Sequence, residues 1–272
     1  MDHKGFPQPD SANTALITGA SEGIGLELAR IMAADGWNLI LTARREPLLA
    51  QLAQELVKTN GIKCAVIPAD LSQPRAPDEI VRKLDEHSAV IGCLVNNAGF
   101  GLYQDFALSD PDTLDRIISV NISALTRLTR LMLPGMIERR CGRILNVGSL
   151  AGFQPLPSRA VYSAAKSYVI LFSRALAAEL SGSGVTVTCL CPGITATGFR
   201  RVASLGERAD YPAGTITGAE VARIGYRAMM KGRGLVTTGG RDRVLSAIAR
   251  FLPGGWVAST ARRIGRYSNK GY

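Results

Sequence analysis

The stretch Thr18-Gly19-Ala20-Ser21-Glu22-Gly23-Ile24-Gly25 decides the fold, because it joins a short apolar run to a segment of helical periodicity. Glycine allows a tight turn and lets the backbone approach a ligand closely. A helix N-terminus adds unpaired N–H groups and positive dipole charge, which together suit a phosphate. We therefore expect a dinucleotide to lie over this turn. The spacing G-x-x-x-G-x-G differs from the more usual G-x-G-x-x-G, so a purely structural connection between strand and helix is the alternative.

Further short apolar runs alternate with helical segments along the chain. This alternation is typical of a parallel sheet that carries helices on both faces. With no internal repeat and no long linker, it predicts one Rossmann-like, doubly wound α/β domain over residues 1–272, with a core over 12–240 and a basic amphipathic helical tail over 241–272. The seven predicted strands are Ala15–Thr18, Trp37–Thr42, Cys64–Pro68, Ile91–Val95, Arg143–Val147, Val185–Leu190 and Leu235–Thr238.

Two long helices are predicted in the second half of the core. The first opens at Asp110-Pro111, a cap residue followed by proline, and its apolar positions continue at helical spacing to Leu131. The second runs from about Arg159 to Leu180. Other helices are predicted over Ile24–Ala34, Pro47–Lys58 and Pro77–His87, and from near Thr217.

Charge is unevenly distributed along the chain, whose net charge is +10. Residues 1–222 carry 21 basic and 21 acidic side chains, whereas residues 223–272 carry 11 basic side chains and one acid, Asp242. The net charge therefore belongs to the C-terminal segment. That segment has few aromatic residues and no recognised nucleic-acid-binding pattern, so we expect no nucleic acid partner. The segment could instead pack on the protein itself, contact a membrane surface or bind an acidic carrier, and the sequence does not choose among these.

Histidine and cysteine usage excludes several kinds of chemistry. The two histidines, His3 and His87, lie in a polar leader and a charged stretch, which argues against a Ser-His-Asp triad, a histidine general base and a His-ligated metal. Four of the five cysteines lie in or beside predicted strands, and Cys189-x-Cys191 is too closely spaced for an ordinary disulfide. We expect reduced thiols and no metal site. Since no apolar run matches a signal peptide or a membrane span, the sequence predicts a soluble, cytoplasmic protein.

Two arginines follow the second predicted strand. In a dinucleotide fold an acid at that strand end binds the ribose 2′-hydroxyl, whereas arginine binds a 2′-phosphate. Ala43 is not an acid, and Arg44 and Arg45 come next, so we expect NADP(H) rather than NAD(H). The alternative is that both arginines are solvated at the start of the next helix and bind no phosphate. The negative charge of Glu22 in the glycine turn would also weaken binding of the 2′-phosphate.

Tyr162 and Lys166 lie one helical turn apart at the start of the second long helix. A nearby ammonium favours phenolate over phenol, so this pair can supply proton transfer without histidine. Ser149 follows a strand thirteen residues before Tyr162, at the carboxyl edge where the glycine turn also lies. Its hydroxyl can bind a substrate carbonyl. The alternative for Tyr162 and Lys166 is an ordinary polar pair on a helix surface. The alternative for Ser149 is a serine that only caps the next turn.

Taken in order, these residues resemble the short-chain dehydrogenase/reductase family, of the NADP-preferring carbonyl reductase type, over about residues 12–240. Each motif is weak alone, but their order and spacing match the family. The motifs are TGASEGIG at 18–25, Asp70-Leu71, NNAG at 96–99, Asn121, Ser149, Tyr162 with Lys166, and Pro192-Gly193 followed by Thr197.

The resemblance implies roles for single residues. Ser149 would orient a substrate carbonyl, Tyr162 would move the proton, and Lys166 would bind the nicotinamide ribose and lower the pKa of Tyr162. Asn121 would hold a water of a proton relay; a helix-interior asparagine bonded to its own backbone is the alternative. The implied cofactor contacts are Gly19, Ser21, Gly23, Ile24 and Gly25 at the pyrophosphate and nicotinamide, Asp70 and Leu71 at the adenine, Asn97, Ala98 and Gly99 at the adenosine ribose, and Ile194 and Thr197 at the carboxamide.

The sequence thus predicts an oxidoreductase that reduces a ketone or aldehyde with NADPH, or runs the reverse reaction. In the family, residues 194–216 form the substrate lid, and members commonly form homodimers or homotetramers. A cofactor-binding scaffold without turnover is one alternative. A peripheral-membrane reductase of lipidic or carrier-linked ketones is another. The substrate and the physiological direction are left open.

Overall fold

A computed structural model of the chain describes residues 13–196 and 215–239, together with Gly255 and Ser259. Thr197, most of the predicted lid and nearly all of the tail lie outside the described residues. Within the described part, no helix is long and apolar enough to cross a membrane.

The seven-stranded sheet is entirely parallel, as predicted. The strands are β1 (Thr14–Thr18), β2 (Asn38–Thr42), β3 (Cys64–Val66), β4 (Cys93–Asn96), β5 (Gly142–Val147), β6 (Val185–Cys191) and β9 (Leu235–Thr237), each within two residues of its predicted bounds. Their order across the sheet is β3-β2-β1-β4-β5-β6-β9, so the chain winds outward from β1 and then crosses back to β4. Ligands of such sheets bind outside the carboxyl ends of the strands at this reversal.

Helices cover both faces of the sheet because successive strand side chains point to opposite sides. Ala15 and Ile17 of β1 belong to one apolar cluster, and Leu16 belongs to the other. The first cluster contains residues of α1 (Gly23–Ala34), α2 (Glu46–Asn60) and α7 (Gly218–Met230). The second contains residues of α3 (Ala76–Glu86), α5 (Leu125–Glu138) and α6 (Ala160–Glu179), and α4 (Pro111–Ile118) precedes α5. The doubly wound fold is therefore confirmed.

The helix ends follow local chemistry. The Asp110 carboxylate caps α4 by accepting from the Thr113 backbone N–H at 2.9 Å, and proline stands at the first helical position. Thr217 and Glu220 form a capping box at the start of α7. Gly61 ends α2 at a φ of 68°, which glycine adopts without strain. These boundaries are readable from sequence because each depends on adjacent residues.

Two features depart from the predictions. The first long helix is interrupted by a π-helical turn, Ser119–Ala124, between α4 and α5. The second departure is a small parallel ribbon at the two ends of the predicted lid, formed by β7 (Thr195–Ala196) and β8 (Ile216–Thr217). Both depend on tertiary contacts, which periodicity does not report.

Candidate active site

The glycine turn is tied to the loop after β4 by what we call the glycine clamp: Thr18, Gly19, Asn97 and Ala98. The Thr18 hydroxyl oxygen accepts from the backbone N–H groups of Asn97 and Ala98, each at 2.9 Å. The Asn97 amide donates to the carbonyls of Thr18 at 2.9 Å and Gly19 at 3.2 Å. Two predicted cofactor segments thus form one surface at the carboxyl edge. The Asn97 side chain holds this turn, a role the sequence analysis did not assign, and Thr18 was missed.

The turn is packed so closely that glycine is required at two of its positions. A Cβ on Gly25 would lie 2.3 Å from the Gly19 carbonyl oxygen, so only glycine fits there. Gly19 itself has a φ of +66°. No side chain caps the start of α1, whose first N–H groups are therefore left for an anion. The residues of this turn fit the dinucleotide that the sequence predicts.

Arg45 connects the end of β2 to the glycine turn. Its Nη2 lies 2.9 Å from the Glu22 carboxylate and donates to the Ser21 hydroxyl at 3.0 Å. Arg44, next to it, is exposed and forms no ion pair with a described residue. The two arginines predicted to bind a 2′-phosphate therefore differ, because Glu22 already neutralises one of them.

The remaining described residues that were predicted to contact the cofactor also lie at the carboxyl edge of the sheet, and their side chains differ in solvent exposure. One oxygen of the Asp70 carboxylate accepts from the Ser72 N–H at 3.0 Å, and Leu71 is buried in the core. Gly99 follows the clamp. Ile194, just after β6, is 60% exposed. Thr197 lies outside the described residues.

Ser149 lies just after β5, and its side chain contacts two groups. Its hydroxyl oxygen accepts from the Ala151 N–H at 3.1 Å and caps the 3₁₀ turn Leu150–Phe153. The same side chain is near enough to the phenol of Tyr162 to lower the pKa of that phenol. The capping role and the contact with Tyr162 therefore occur together.

Tyr162 lies buried beneath the crevice, in van der Waals reach of the loop after β4. A Cβ on Gly101 would come within 2.8 Å of its ring, so glycine is required for this close approach. Burial raises the pKa of Tyr162, while the Ser149 side chain and the charge of Arg159 lower it. Desolvation of the phenolate is the largest of these effects, and the lowering of the pKa of Tyr162 by Lys166 stays a prediction.

Lys166 is a buried ammonium group, 4% exposed. Its Nζ donates to the Val147 carbonyl at 2.8 Å and lies 5.8 Å from the centre of the Tyr162 ring. Burial lowers the pKa of Lys166 to about 8. The helical pairing predicted for Tyr162 and Lys166 thus lies inside the protein and not on its surface.

Asn121 lies in the π-helical turn and faces the same site. Its amide nitrogen donates to the carbonyls of Ile117 and Phe100, each at 2.9 Å. Its Oδ1 is buried and has no hydrogen-bond partner among the residues that the structure describes. A Cβ on Gly99 would lie 2.6 Å from this oxygen and 3.1 Å from Lys166 Nζ, so the two polar groups flank one small space. The hydrogen bond to Ile117 is the one expected of a helix-interior asparagine bonded to its own backbone. The remaining oxygen, Oδ1, is suited to binding a water.

We call Asn121, Ser149, Tyr162 and Lys166 the Tyr162 cluster. The fold brings all four together through β5, α6 and the π-helical turn. Directly beneath, Cys189 and Cys191 are buried with their sulfur atoms 3.7 Å apart and form no disulfide. The interpretation of these cysteines as buried thiols is confirmed. Cys141, by contrast, is exposed.

Comparison with known proteins identifies the family. A model of the short chain dehydrogenases matches residues 13–207. The chain belongs to the short-chain dehydrogenase/reductase family. Sulfoacetaldehyde reductase 2 of Chromohalobacter salexigens is 39% identical over 203 residues, which cover 73% of this chain and 79% of the relative. The very-long-chain 3-oxoacyl-CoA reductase of Anas platyrhynchos is 35% identical over 222 residues, covering 80% and 70%.

Solved structures agree with this assignment. A short-chain dehydrogenase from Sphingobium yanoikuyae in complex with NADPH superposes with a TM-score of 0.78 at 30% sequence identity. The match covers 94% of this chain and 95% of that chain. Family membership makes this protein an oxidoreductase acting on CH-OH groups or the corresponding carbonyls.

Proposed function

We propose that this protein reduces a ketone or aldehyde to an alcohol with NADPH, or catalyses the reverse oxidation, and that Tyr162 transfers the proton. The observation that carries the proposal is the Tyr162 cluster, a buried phenol and ammonium beside a serine hydroxyl and an unpartnered amide oxygen. A scaffold that only binds a dinucleotide could use Lys166 for the nicotinamide ribose, but it would not need the buried Tyr162 phenol and the Ser149 hydroxyl beside it.

Each member of the cluster has a distinct task. The Ser149 hydroxyl binds the carbonyl oxygen and stabilises the negative charge that develops on it. Tyr162 donates its phenolic proton to that oxygen in the reducing direction. The positive charge of Lys166 stabilises the phenolate that results. Asn121 Oδ1 holds a water beside Lys166, which returns a proton from solvent.

The cofactor would lie between the glycine clamp and the Tyr162 cluster, where it supplies a hydride to the carbonyl carbon. The glycine turn and the start of α1 bind its pyrophosphate. Arg44 and Arg45 favour NADP over NAD because they meet the 2′-phosphate. The NADPH bound by the relative from Sphingobium yanoikuyae supports this preference. Glu22 limits it by neutralising Arg45.

Association of identical subunits is part of the proposal. Ile118 at the end of α4 and Leu171 on α6 are 40% and 62% exposed. Large apolar side chains on the two long helices are better covered by a second copy than by water. Sedimentation or light scattering of the purified protein tests for a dimer or tetramer.

The direct test of the proposed chemistry is Tyr162→Phe. Loss of nicotinamide absorbance is followed with NADPH and a panel of ketones and aldehydes, and we expect turnover to fall by about 10²- to 10⁴-fold. Tyr168→Phe is the matched control, since Tyr168 lies on the same helix and its hydroxyl pairs with Thr126 at 2.9 Å instead. Undiminished turnover in Tyr162→Phe would exclude the proposed proton donor.

A further inference from the structure

The Tyr162 cluster depends on where α6 lies against β5, because α6 carries Tyr162 and Lys166 whereas Ser149 follows β5. The 3₁₀ turn after Ser149 packs directly on the helix backbone. A Cβ on Gly152 of this turn would lie 2.6 Å from the carbonyl carbon of Lys166, so glycine sets how close the helix can come. Such a contact does not fix the position of α6 along its own axis, because van der Waals packing is not directional.

A buried hydrogen bond further along α6 restricts that position. Ser173 lies seven residues after Lys166 on the same buried stripe of the helix and is 0% exposed. The side-chain amide of Asn146 on β5 donates to the Ser173 hydroxyl at 2.9 Å. That hydroxyl donates in turn to the Val169 carbonyl at 2.6 Å, one helical turn earlier. Since a hydrogen bond weakens steeply when its angle is distorted, this contact favours one position of α6 on β5.

The orientation of the Asn146 amide is determined by a second asparagine. The Asn146 oxygen accepts from the amide nitrogen of Asn96 on β4 at 2.9 Å, which leaves the Asn146 nitrogen for Ser173. The same Asn96 nitrogen donates to the hydroxyl of Thr129 on α5 at 3.0 Å. We call Thr129, Asn96, Asn146 and Ser173 the asparagine network. Because Asn96 directly precedes Asn97, the network also connects α6 with the backbone of the glycine clamp.

Burying the asparagine network costs stability. All four side chains are at most 3% exposed. The Oδ1 atom of Asn96 has no hydrogen-bond partner within the part of the chain that the structure describes. A buried polar atom without a partner is destabilising, and apolar side chains could fill the same space without that cost. The network is therefore better explained by the single geometry that it imposes than by any stability that it adds.

We propose that Ser173 is a positioning residue for the proposed reaction. Through its hydrogen bond with Asn146, it holds α6 at the position on β5 where Tyr162 comes within reach of Ser149. It acts through the helix, since it lies about 16 Å along α6 from Tyr162 at a rise of about 1.5 Å per residue. Its effect on catalysis rests on the proposed function, whereas its effect on the position of α6 does not.

The first variant is Ser173→Ala, which removes the hydroxyl from the buried face of α6. We expect kcat with NADPH and the best carbonyl substrate of the panel to fall by about tenfold to 10²-fold, because a misplacement of about 1 Å can cost about 10²-fold in rate. KM and NADP⁺ affinity should change little. The ratio of kcat in H₂O to kcat in D₂O should rise, since proton transfer becomes more difficult.

Tyr226→Phe is the matched control. The Trp37 indole N–H donates to the Tyr226 hydroxyl at 3.1 Å, in the apolar cluster on the opposite face of the sheet. Both variants leave a buried N–H donor without its acceptor, so both should lower the melting temperature. Only Ser173→Ala should change kcat and the isotope ratio.

A double variant separates positioning from stability. Asn146→Leu combined with Ser173→Ala removes both partners of the hydrogen bond, so we expect the melting temperature to recover relative to Ser173→Ala alone. The value of kcat should stay low, because no directional contact replaces the hydrogen bond. Crystal structures of wild-type protein and both variants measure the separation between Ser149 Oγ and the Tyr162 hydroxyl, which should be longer in the variants.

The outcomes separate the two proposals. Recovery of kcat together with the melting temperature in the double variant, or an equal fall of kcat in Tyr226→Phe, would overturn the positioning role, because either result reports stability alone. An unchanged separation of Ser149 and Tyr162 in Ser173→Ala would overturn it as well, whether or not the protein reduces carbonyl compounds. Undiminished turnover in Tyr162→Phe would contradict the proposed function instead, and the crystal structures would still decide the position of α6.

Discussion

The glycine clamp and the Tyr162 cluster lie at the same edge of the sheet but differ in how their polar groups are satisfied. In the clamp, Thr18 and Asn97 pair with backbone groups and fix the turn. In the cluster, Lys166 is buried with a lowered pKa, and Asn121 Oδ1 has no hydrogen-bond partner within residues 13–196 and 215–239. The clamp therefore stabilises the fold while it shapes a binding surface. The cluster lowers the free energy of unfolding, because holding its reactive groups in place requires a buried charge.

The largest expected effect comes from removing the buried charge. Lys166→Met should lower carbonyl reduction by about 10²- to 10⁴-fold, because the phenolate of Tyr162 loses its cation. The melting temperature should not fall, since the change also removes the desolvation cost of the ammonium. Both are measured on purified protein, with the exposed Lys58→Met as control. A large loss of stability with activity retained would reverse the roles of the two regions.

A matching change at Gly25, which packs against Gly19 and Asn97 of the clamp, should affect stability and binding together. Gly25→Val places side-chain atoms against the Gly19 carbonyl, so we expect a loss of about 1–3 kcal/mol in unfolding free energy and loss of NADP⁺ binding. Denaturant unfolding and calorimetry measure the two quantities. Gly234→Ala is the control, because a Cβ there meets nothing within 4 Å. Tight NADP⁺ binding by Gly25→Val would contradict the proposed position of the pyrophosphate.

The pH dependence of stability distinguishes the two regions further. The pKa of Lys166 is lowered from 10.5 to about 8 by folding, so between these values the unfolded chain binds the extra proton. Unfolding free energy should therefore gain a contribution that rises with pH, at most about 1.4 kcal/mol per pH unit. Below about pH 8 the full cost of burying the charge is present. Comparing wild-type protein with Lys166→Met across this window isolates the contribution, and identical slopes would refute it.

The smallest effect concerns the exposed ion pair at the glycine turn. Glu22→Gln frees Arg45, so NADP⁺ should bind a few-fold more tightly while NAD⁺ binding changes little, the scale expected of a surface charge. Affinities for both nucleotides are measured at the same ionic strength. Glu27→Gln, which loses only its contact with Arg30, serves as control. An equal change for both nucleotides would mean that Glu22 does not act on the 2′-phosphate.

Local patterns were sufficient to predict the fold, whereas most of the candidate residues and all of their roles came from the resemblance to the family. The spacing of Tyr162 and Lys166, the cap at Asp110 and the alternation of short apolar runs each depend on neighbours in sequence. The π-helical turn was not predicted, because helical periodicity does not report tertiary contacts such as the hydrogen bond from Asn121 to the distant Phe100 carbonyl. The direction of the pKa shift of Tyr162 depends on burial, which no local pattern reports. The stacking of Arg159 on Tyr103 likewise joins two distant loops.

The dependence of hydride transfer from NADPH on proton donation by Tyr162 is tested most directly by isotope transfer. Wild-type protein and Tyr162→Phe are incubated with NADPH deuterated at C4 and a panel of ketones and aldehydes, and the alcohols are analysed by mass spectrometry. We predict deuterium on the carbinol carbon with wild-type protein and its near-complete loss with Tyr162→Phe. Equal deuterium transfer by both proteins, or none by wild-type protein that binds NADPH, would contradict the account.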